Sequence, residues 1–327
     1  MRGRIPGRPL ALVAALLALA AAAGCATGPS VKPTSIASGA VGGIYQPIAE
    51  AIAKIARETP GLDLPLTVES TGASVANVQL LGDRKIQLGL VQNDIAFYGY
   101  EGTTLPPFRG KARSNLRAIA SIYPEFVQVV ASKASGVTSV EGFRGKRVAL
   151  GPEGSGTEQN AIQLLEANGL KVTDLAAAER IDTADAVTKM KAGQLDGAFF
   201  TVGGGSALVR DLLADGTGQL VAVPRVQIAR LISKVPFYWL DEIPAGTYPN
   251  QTGAVSTPSV RVLLLTTDNA DEGAIYGLTK ALVDNLPALR AAYPAVSGLT
   301  VDTVLRVVTV PVHPGALRLY RERNIQQ

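Results

Sequence analysis

Short apolar runs recur along this chain, each followed by a glycine- or serine-rich loop and then by apolar residues at helical spacing. The clearest unit runs from Arg147 to Gly169. Val148, Ala149 and Leu150 suit a strand buried on both faces, as in a parallel sheet. Gly151, Gly154 and Gly156 let the backbone turn sharply, and Ser155 and Thr157 are of the type that caps a helix start. Ala161, Ile162, Leu164 and Leu165 supply that helix's buried face, and Asn168 with Gly169 stops it. The unit is strand, cup and helix, and the free amides at such a helix start attract an anion.

The same order repeats on both sides. Residues 34–38 predict a first strand, a glycine loop through Gly43 follows, and Ile48, Ile52 and Ile55 predict a helix that ends at Thr59-Pro60-Gly61. Pro47 fits because it falls in that helix's first turn. Residues 64–68 predict a strand leading into Ser70-Thr71-Gly72-Ala73-Ser74 and a helix carrying Val75, Val78 and Leu81. Residues 88–91 predict another, followed by Gln92-Asn93-Asp94 and a helix with Phe97, Tyr98 and Tyr100. Beyond a surface excursion around Pro106 and Pro107, separate strands are expected at 118–122 and 126–131. A second α/β pattern then includes a helix from about residue 184 to 191, a strand at 195–202 ending in Gly203-Gly204-Gly205, and a helix at 206–213. A late strand at 260–267 precedes a helix from about 271 to 285. Strands alternating with helices imply an α/β fold with parallel sheet and flanking helices, in which polar strand-end loops hold the ligand. Two such halves suggest two lobes closing on one solute.

The N-terminus changes the picture of where the chain works. Arg2, Arg4 and Arg8 precede an apolar run from Leu10 to Ala23 that leads into Gly24 and Cys25, the pattern of a signal peptide over residues 1–24. The run is shorter than the roughly 20 apolar residues of a comfortable membrane span. Cys25, the sole cysteine, follows the small residues Ala23 and Gly24 and resembles the acylated cysteine of a bacterial lipobox. Ala22 stands where that pattern usually has leucine. A lipid anchor on Cys25 with a polar tether over 25–33 is expected, against ordinary cleavage and a soluble product. Removing the leader's three arginines from 31 basic residues leaves 28 against 27 acidic ones, so no electrostatic case for nucleic acid remains. One cysteine and one histidine supply neither an internal disulfide nor a His-rich metal site, and no metal or cofactor is expected.

Spacing tests three enzyme readings of the loop at 151–157. A phosphate-binding P-loop needs lysine after its last glycine, where Thr157 stands. A dinucleotide fingerprint starting at Gly154 needs a third glycine, where Gln159 stands. A nucleophile elbow centred on Ser155 needs glycine at positions held by Glu153 and Thr157. Each fails at a residue that its chemistry requires.

Taken together, several segments resemble the TAXI-type solute receptors of tripartite ATP-independent periplasmic (TRAP) transporters. They are Gly42-Gly43-Ile44-Tyr45, Ser70 through Asn77, Val91-Gln92-Asn93-Asp94, Lys146-Arg147-Val148 running into Gly154-Ser155-Gly156-Thr157, Gly193 through Phe200, Ile243 through Tyr248, and His313-Pro314-Gly315-Ala316. They lie in order over nearly the whole mature chain. Ala73 departs from the family, which often has a second glycine there. The resemblance implies a two-lobed periplasmic-binding-protein fold (type II-like), with lobe I at 34–122 plus 262–327 and lobe II at 123–261. It implies capture of a small carboxylate-bearing solute, an amino acid such as glutamate or glutamine, a dicarboxylate or an oxoacid. The solute would be delivered to TRAP membrane subunits, with no catalysis.

The candidate ligand-binding residues follow from these loops. In the first lobe they are Gly43, Tyr45, Ser74, Gln92 and Asp94, with Tyr45 either a wall of the site or a core residue, and Ser74 and Asp94 either ligand contacts or helix caps. In the second they are Ser155, Gly156, Thr157, Val202, Gly203, Gly204 and Tyr248, the glycines being alternatively a close packing turn. His313, followed by proline, is read as structural. The competing hypothesis is an exported α/β hydrolase using Ser155.

Overall fold

The computed structural model describes residues 30–39, 44–235 and 237–326, so the leader, Cys25 and Gly43 lie outside the described residues. The chain opens with β1 (Ser35–Ala37), α1 (Tyr45–Glu58), β2 (Thr67–Glu69), α2 (Ser74–Gly82), β3 (Leu88–Gln92) and α3 (Asn93–Glu101). β1 pairs in parallel with β2 on one side and β3 on the other. Ile48, Ile52 and Ile55 of α1 are buried with Ile36 and Leu88, so the spacing that predicts the helix is also what packs it. Thr59 ends α1 with extended backbone before Pro60.

A long strand, β4 (Leu116–Ser132), follows, and with it the second pattern: β5 (Arg147–Ala149), α4 (Gly156–Ala167), β6 (Ala177–Glu179), α5 (Thr183–Lys191), β7 (Gly197–Val202), α6 (Ala207–Ala214) and β8 (Gly218–Leu220). β5 pairs in parallel with β6 and β7. After α7 (Arg225–Lys234) and β9 (Trp239–Ile243), the chain returns along β10 (Val255–Thr267) and closes with α8 (Glu272–Asp284), α9 (Leu286–Ala292) and α10 (Pro314–Glu322). The strand order is β2-β1-β3-β10-β4-β7-β5-β6. The fold is thus α/β with flanking helices and a mixed sheet. Its two wings are parallel, while β10 lies antiparallel to β3 and β4, and β4 antiparallel to β7.

The centre differs from the sequence expectation. The two strands expected at 118–122 and 126–131 are one continuous β4, which pairs with β10 from Leu116 to Phe126 and with β7 from Phe126 to Ala131. Pro124, which lacks an N–H and reads as a break, is tolerated here beside a shift of the β10 register between Val262 and Leu263. β2 starts three residues later than expected, although Leu64 and Leu66 are buried. Among the described residues no helix is long and apolar enough to cross a membrane.

Two backbone positions make opposite predictions. Ala73, just before α2, sits at φ 64° and ψ −146°, a region that is nearly glycine-only. Relief of about 1–3 kcal/mol of strain outweighs the roughly 0.5–1 kcal/mol entropic cost of glycine, so Ala73→Gly should stabilise the protein by about 1 kcal/mol. Gly315 is where α10 crosses α8, and a Cβ there would lie 2.3 Å from the Glu272 carbonyl oxygen and 2.9 Å from the Tyr276 nitrogen. Gly315→Ala should therefore destabilise by about 1–3 kcal/mol. Urea unfolding of both variants checks the pair; a loss of stability in Ala73→Gly would show that the backbone there is not strained.

Candidate functional site

The ends of β1, β3 and β7, the starts of α2 and α4, and the middle of β4 supply the polar groups that meet at the centre. Ser74 is the first residue of α2, and its hydroxyl lies 3.1 Å from the Tyr45 hydroxyl and accepts the Gln92 backbone N–H at 3.0 Å. Asn77, one turn along, donates to the carbonyls of Ser38 and Leu90, which ties α2 to the ends of β1 and β3. Tyr45 and Ser74 are buried, as is Gln92.

From Gln92 the network runs to a residue that the sequence reading missed. The Gln92 amide nitrogen donates to Glu125 at 2.6 Å, and the Tyr123 hydroxyl donates to the other oxygen of the same carboxylate at 3.0 Å. Glu125 lies in β4 one residue before the strand changes partner, and it is 4% exposed. Burial pushes its carboxyl up to about 7, against the lowering effect of Gln92 and Tyr123 and with a further push from Asp94. Burial likewise raises the Tyr45 and Tyr123 hydroxyls, which stay neutral. The signal for Glu125 was available: it is a single acid inside a run of apolar positions.

The second-half loops come to this same network. A Cβ at Gly156 would fall 1.9 Å from the Gln92 side-chain oxygen, so the Gln92 amide lies directly over the start of α4. A Cβ at Gly203 would meet Tyr123 at 3.1 Å and Ile44 at 3.3 Å. Tyr45, Ser74, Gln92, Gly156 and Gly203 are therefore brought together, with Tyr123 and Glu125 between them. Gly43 lies outside the described residues.

The remaining candidates are placed differently. Ser155 caps α4, its hydroxyl accepting the Glu158 N–H at 3.1 Å. The Glu158 carboxylate turns back to accept the Gly154 N–H at 2.6 Å and pairs with Arg180. Gly156 and Thr157 are the first two residues of the helix, where N–H groups have no carbonyl four residues back. Thr157 packs its side chain against Gly151, where φ is +100°. Asp94 accepts its neighbour Ile95 N–H at 2.8 Å and the Asn160 amide of α4 at 2.7 Å. It is buried, and burial raises it to about 6. Tyr248 donates to Gln128 at 2.7 Å and accepts the Gly205 N–H, while Gln128 donates to the Val202 carbonyl. Tyr248 thus braces the turn holding Val202, Gly203 and Gly204. Gly204 packs on Phe126 and Thr247.

Nothing in this arrangement sets up a nucleophile. His313 caps α10, its ring accepting the Gly315 N–H at 3.2 Å, and Ser155 hydrogen-bonds Glu158 instead of a base. Among the described residues no group of three or more His, Cys, Asp or Glu side chains could hold a metal ion.

Comparison with known proteins fixes the family and the fold. The chain belongs to the NMT1-like family, whose model matches residues 36–323. Its structure is similar to that of PhnD1 from Prochlorococcus marinus in complex with methylphosphonate, at a TM-score of 0.53 and 12% identity over 90% of this chain and 100% of that one. A TctC solute binding protein from Polaromonas matches at 0.51 and 16% identity, over 81% of this chain and 88% of that one. A protein from Bordetella bronchiseptica matches at 0.54 and 15% identity, over 89% and 98%. The architecture is that of the periplasmic binding proteins.

Glu125 and Asp94 bind protons more readily folded than unfolded, since burial raises both. Their burial is harmless while they are protonated, and stability falls as pH rises from about 4 through about 6 and about 7. Relative to Glu125→Gln, the wild type should lose on the order of 3 kcal/mol of unfolding free energy between about pH 4.5 and about pH 8. Urea unfolding of the two proteins across that range measures the difference, and a difference independent of pH would contradict the burial of a titrating acid.

Proposed function

From its place in the NMT1-like family, we propose that the chain is an extracytoplasmic solute receptor of the TAXI type. It binds a small carboxylate-bearing solute between two lobes and delivers it to TRAP transporter membrane subunits. The observation that carries this is the meeting of Gln92 with Gly156 and Glu125, and of Gly203 with Ile44 and Ala295, which brings loops from both halves of the chain onto one polar centre.

The lobes are residues 34–122 with 262–327 and residues 123–261, and they are joined through β4 and β10. Closure between them is the expected response to solute, because contacts from both sides bind the closed state more tightly than the open one. The acid group of the solute takes the amides of Gly156 and Thr157 at the start of α4, assisted by the helix dipole. The Ser74 and Tyr45 hydroxyls, joined to each other, and the Val202–Gly204 turn line the remainder. The carboxylate ligands implied by the family resemblance and the methylphosphonate of the Prochlorococcus protein share one feature, an oxyanion head. A leader over residues 1–24 and a lipid on Cys25 place the receptor at the outer face of a membrane.

Mass spectrometry of solute co-purifying with native protein, and calorimetry of refolded protein against amino acids, dicarboxylates and oxoacids, test this function. Binding of one such acid is expected; a protein that neither releases nor binds any of them is not this receptor. Gly156→Ala supplies the residue-level check. The atoms nearest its new methyl group are the end of the Gln92 side chain, which can swing aside, and Ile95, so the unliganded protein should melt within a few degrees of wild type. Solute affinity should fall at least about tenfold, because the Gln92 amide must leave its place over the helix start.

A further inference from the structure

Glu125 and Asp94 are both buried, yet neither belongs to any ion pair among the described residues. The buried guanidinium of Arg261 does not serve them: it donates to Ser121, and the charges that act on it are Arg306 and Asp241. The charged and titratable groups that face Glu125 are Asp94 from α3, Tyr45 from α1 and Tyr123 from its own strand, with Tyr293 beyond Tyr123. Gly156 of α4 lies against Gln92, and Gly203, in the turn after β7, lies against Tyr123, the two hydrogen-bond partners of Glu125. Among the described residues, the charged and titratable groups around Glu125 are thus acids and hydroxyls, with no cation among them.

An uncompensated carboxylate at such a place is costly unless a positive group reaches it. Gln92 and Tyr123 each fill one acceptor site on Glu125, and a carboxylate has about four, so it can accept further hydrogen bonds. Resting on the solute-receptor function, we propose that Glu125 selects the solute: it holds a protonated amine, so the receptor takes amino acids and rejects dicarboxylates and oxoacids that lack one. The amine sits against Glu125 while the acid end of the same molecule takes the Gly156 and Thr157 amides. Gln92, lying between Glu125 and Gly156, spaces the two ends. A solute with only anionic groups would bring a second negative charge against Glu125 and Asp94 with nothing to offset it.

Calorimetry of refolded wild type, Glu125→Gln and Glu125→Asp separates the outcomes, using the standard L-amino acids, the 2-oxoacid counterpart of each binder, and dicarboxylates. Wild type should bind the amino acid at least about 100-fold more tightly than its oxoacid. Glu125→Gln should lose at least about 100-fold for the amino acid while holding the oxoacid no less tightly than wild type does, and Glu125→Asp should recover part of the amino-acid affinity. Because protonating Glu125 removes the charge that holds the amine, amino-acid affinity in wild type should weaken from about pH 8 to about pH 5.5, and in Glu125→Gln that trend should vanish. Equal binding of the oxoacid by wild type, or affinity that rises as pH falls, would overturn the assignment and leave the receptor standing, with Glu125 donating as a neutral acid. If the amino acids and dicarboxylates all fail to bind refolded wild type, the receptor function itself is wrong, and the Glu125 assignment goes with it.

Discussion

The side chain of Gln92 is the point on which the arrangement turns. Its backbone N–H binds Ser74, its amide nitrogen binds Glu125, and its amide oxygen covers Gly156. One residue at the end of β3 therefore touches the start of α2, the middle of β4 and the start of α4. Only glycine at 156 admits it, since any Cβ would occupy the same space. Close approach of a polar side chain to a helix start is a steric condition first, and an electrostatic one second.

Around that contact lies a second layer that ties the same two segments together. Asn160 of α4 donates to Asp94 and to the Tyr238 hydroxyl; Tyr238 donates to Gln163, and Gln163 donates to Tyr98 of α3. Phe97, Tyr98, Phe237 and Tyr238 pack their rings in the same region, with centroids 5.2–6.0 Å apart. Asn93, next to Asp94, accepts the Arg261 N–H and donates to the carbonyls of Phe237 and Val307. A buried polar network of this kind specifies one arrangement, because any shift leaves several groups without partners at about 1–3 kcal/mol each. Opening of the proposed lobes would have to part these α3–α4 bonds, and the polar centre beside them keeps its geometry while they are made.

Much of this was legible in the sequence where local rules decide the outcome. The isoleucines of α1, the apolar runs of β3 and β7, and the Ser155 cap with Asn168 and Gly169 at the far end of α4 follow from period and capping alone. The loops chosen as candidates do include residues that meet across the molecule. What was not legible depends on contacts distant in sequence. That residues 118–122 and 126–131 form one strand depends on β10 pairing through Pro124 and β7 taking over at Phe126. Glu125 carries meaning only beside Gln92 and Tyr123, and Asn160 only beside Asp94. The helix α7 buries just Ile228 and Leu231, too weak a stripe to announce itself, whereas α10 had a signal in Ala316, Leu319 and Tyr320.

The start of α4 shows why a glycine-rich helix start is a poor guide to affinity by itself. Of its amides, Gly154 is engaged by the Glu158 carboxylate and Glu158 by the Ser155 hydroxyl, so the protein places its own acid in part of the cup. Arg180 pairs with that acid and holds it in place. The positive end of the helix is therefore partly neutralised from within, and the two leading amides are what it offers to an incoming anion. A pair of amides in water binds a carboxylate weakly, because it must displace hydration of similar strength. The same pair in a site emptied of water binds it far better, since the local dielectric falls and nothing competes. Strong capture of the proposed solute therefore requires that Tyr123, Gln92 and the Val202–Gly204 turn shut water away from this helix start, and under that reading their packing counts as much as any hydrogen bond to the solute.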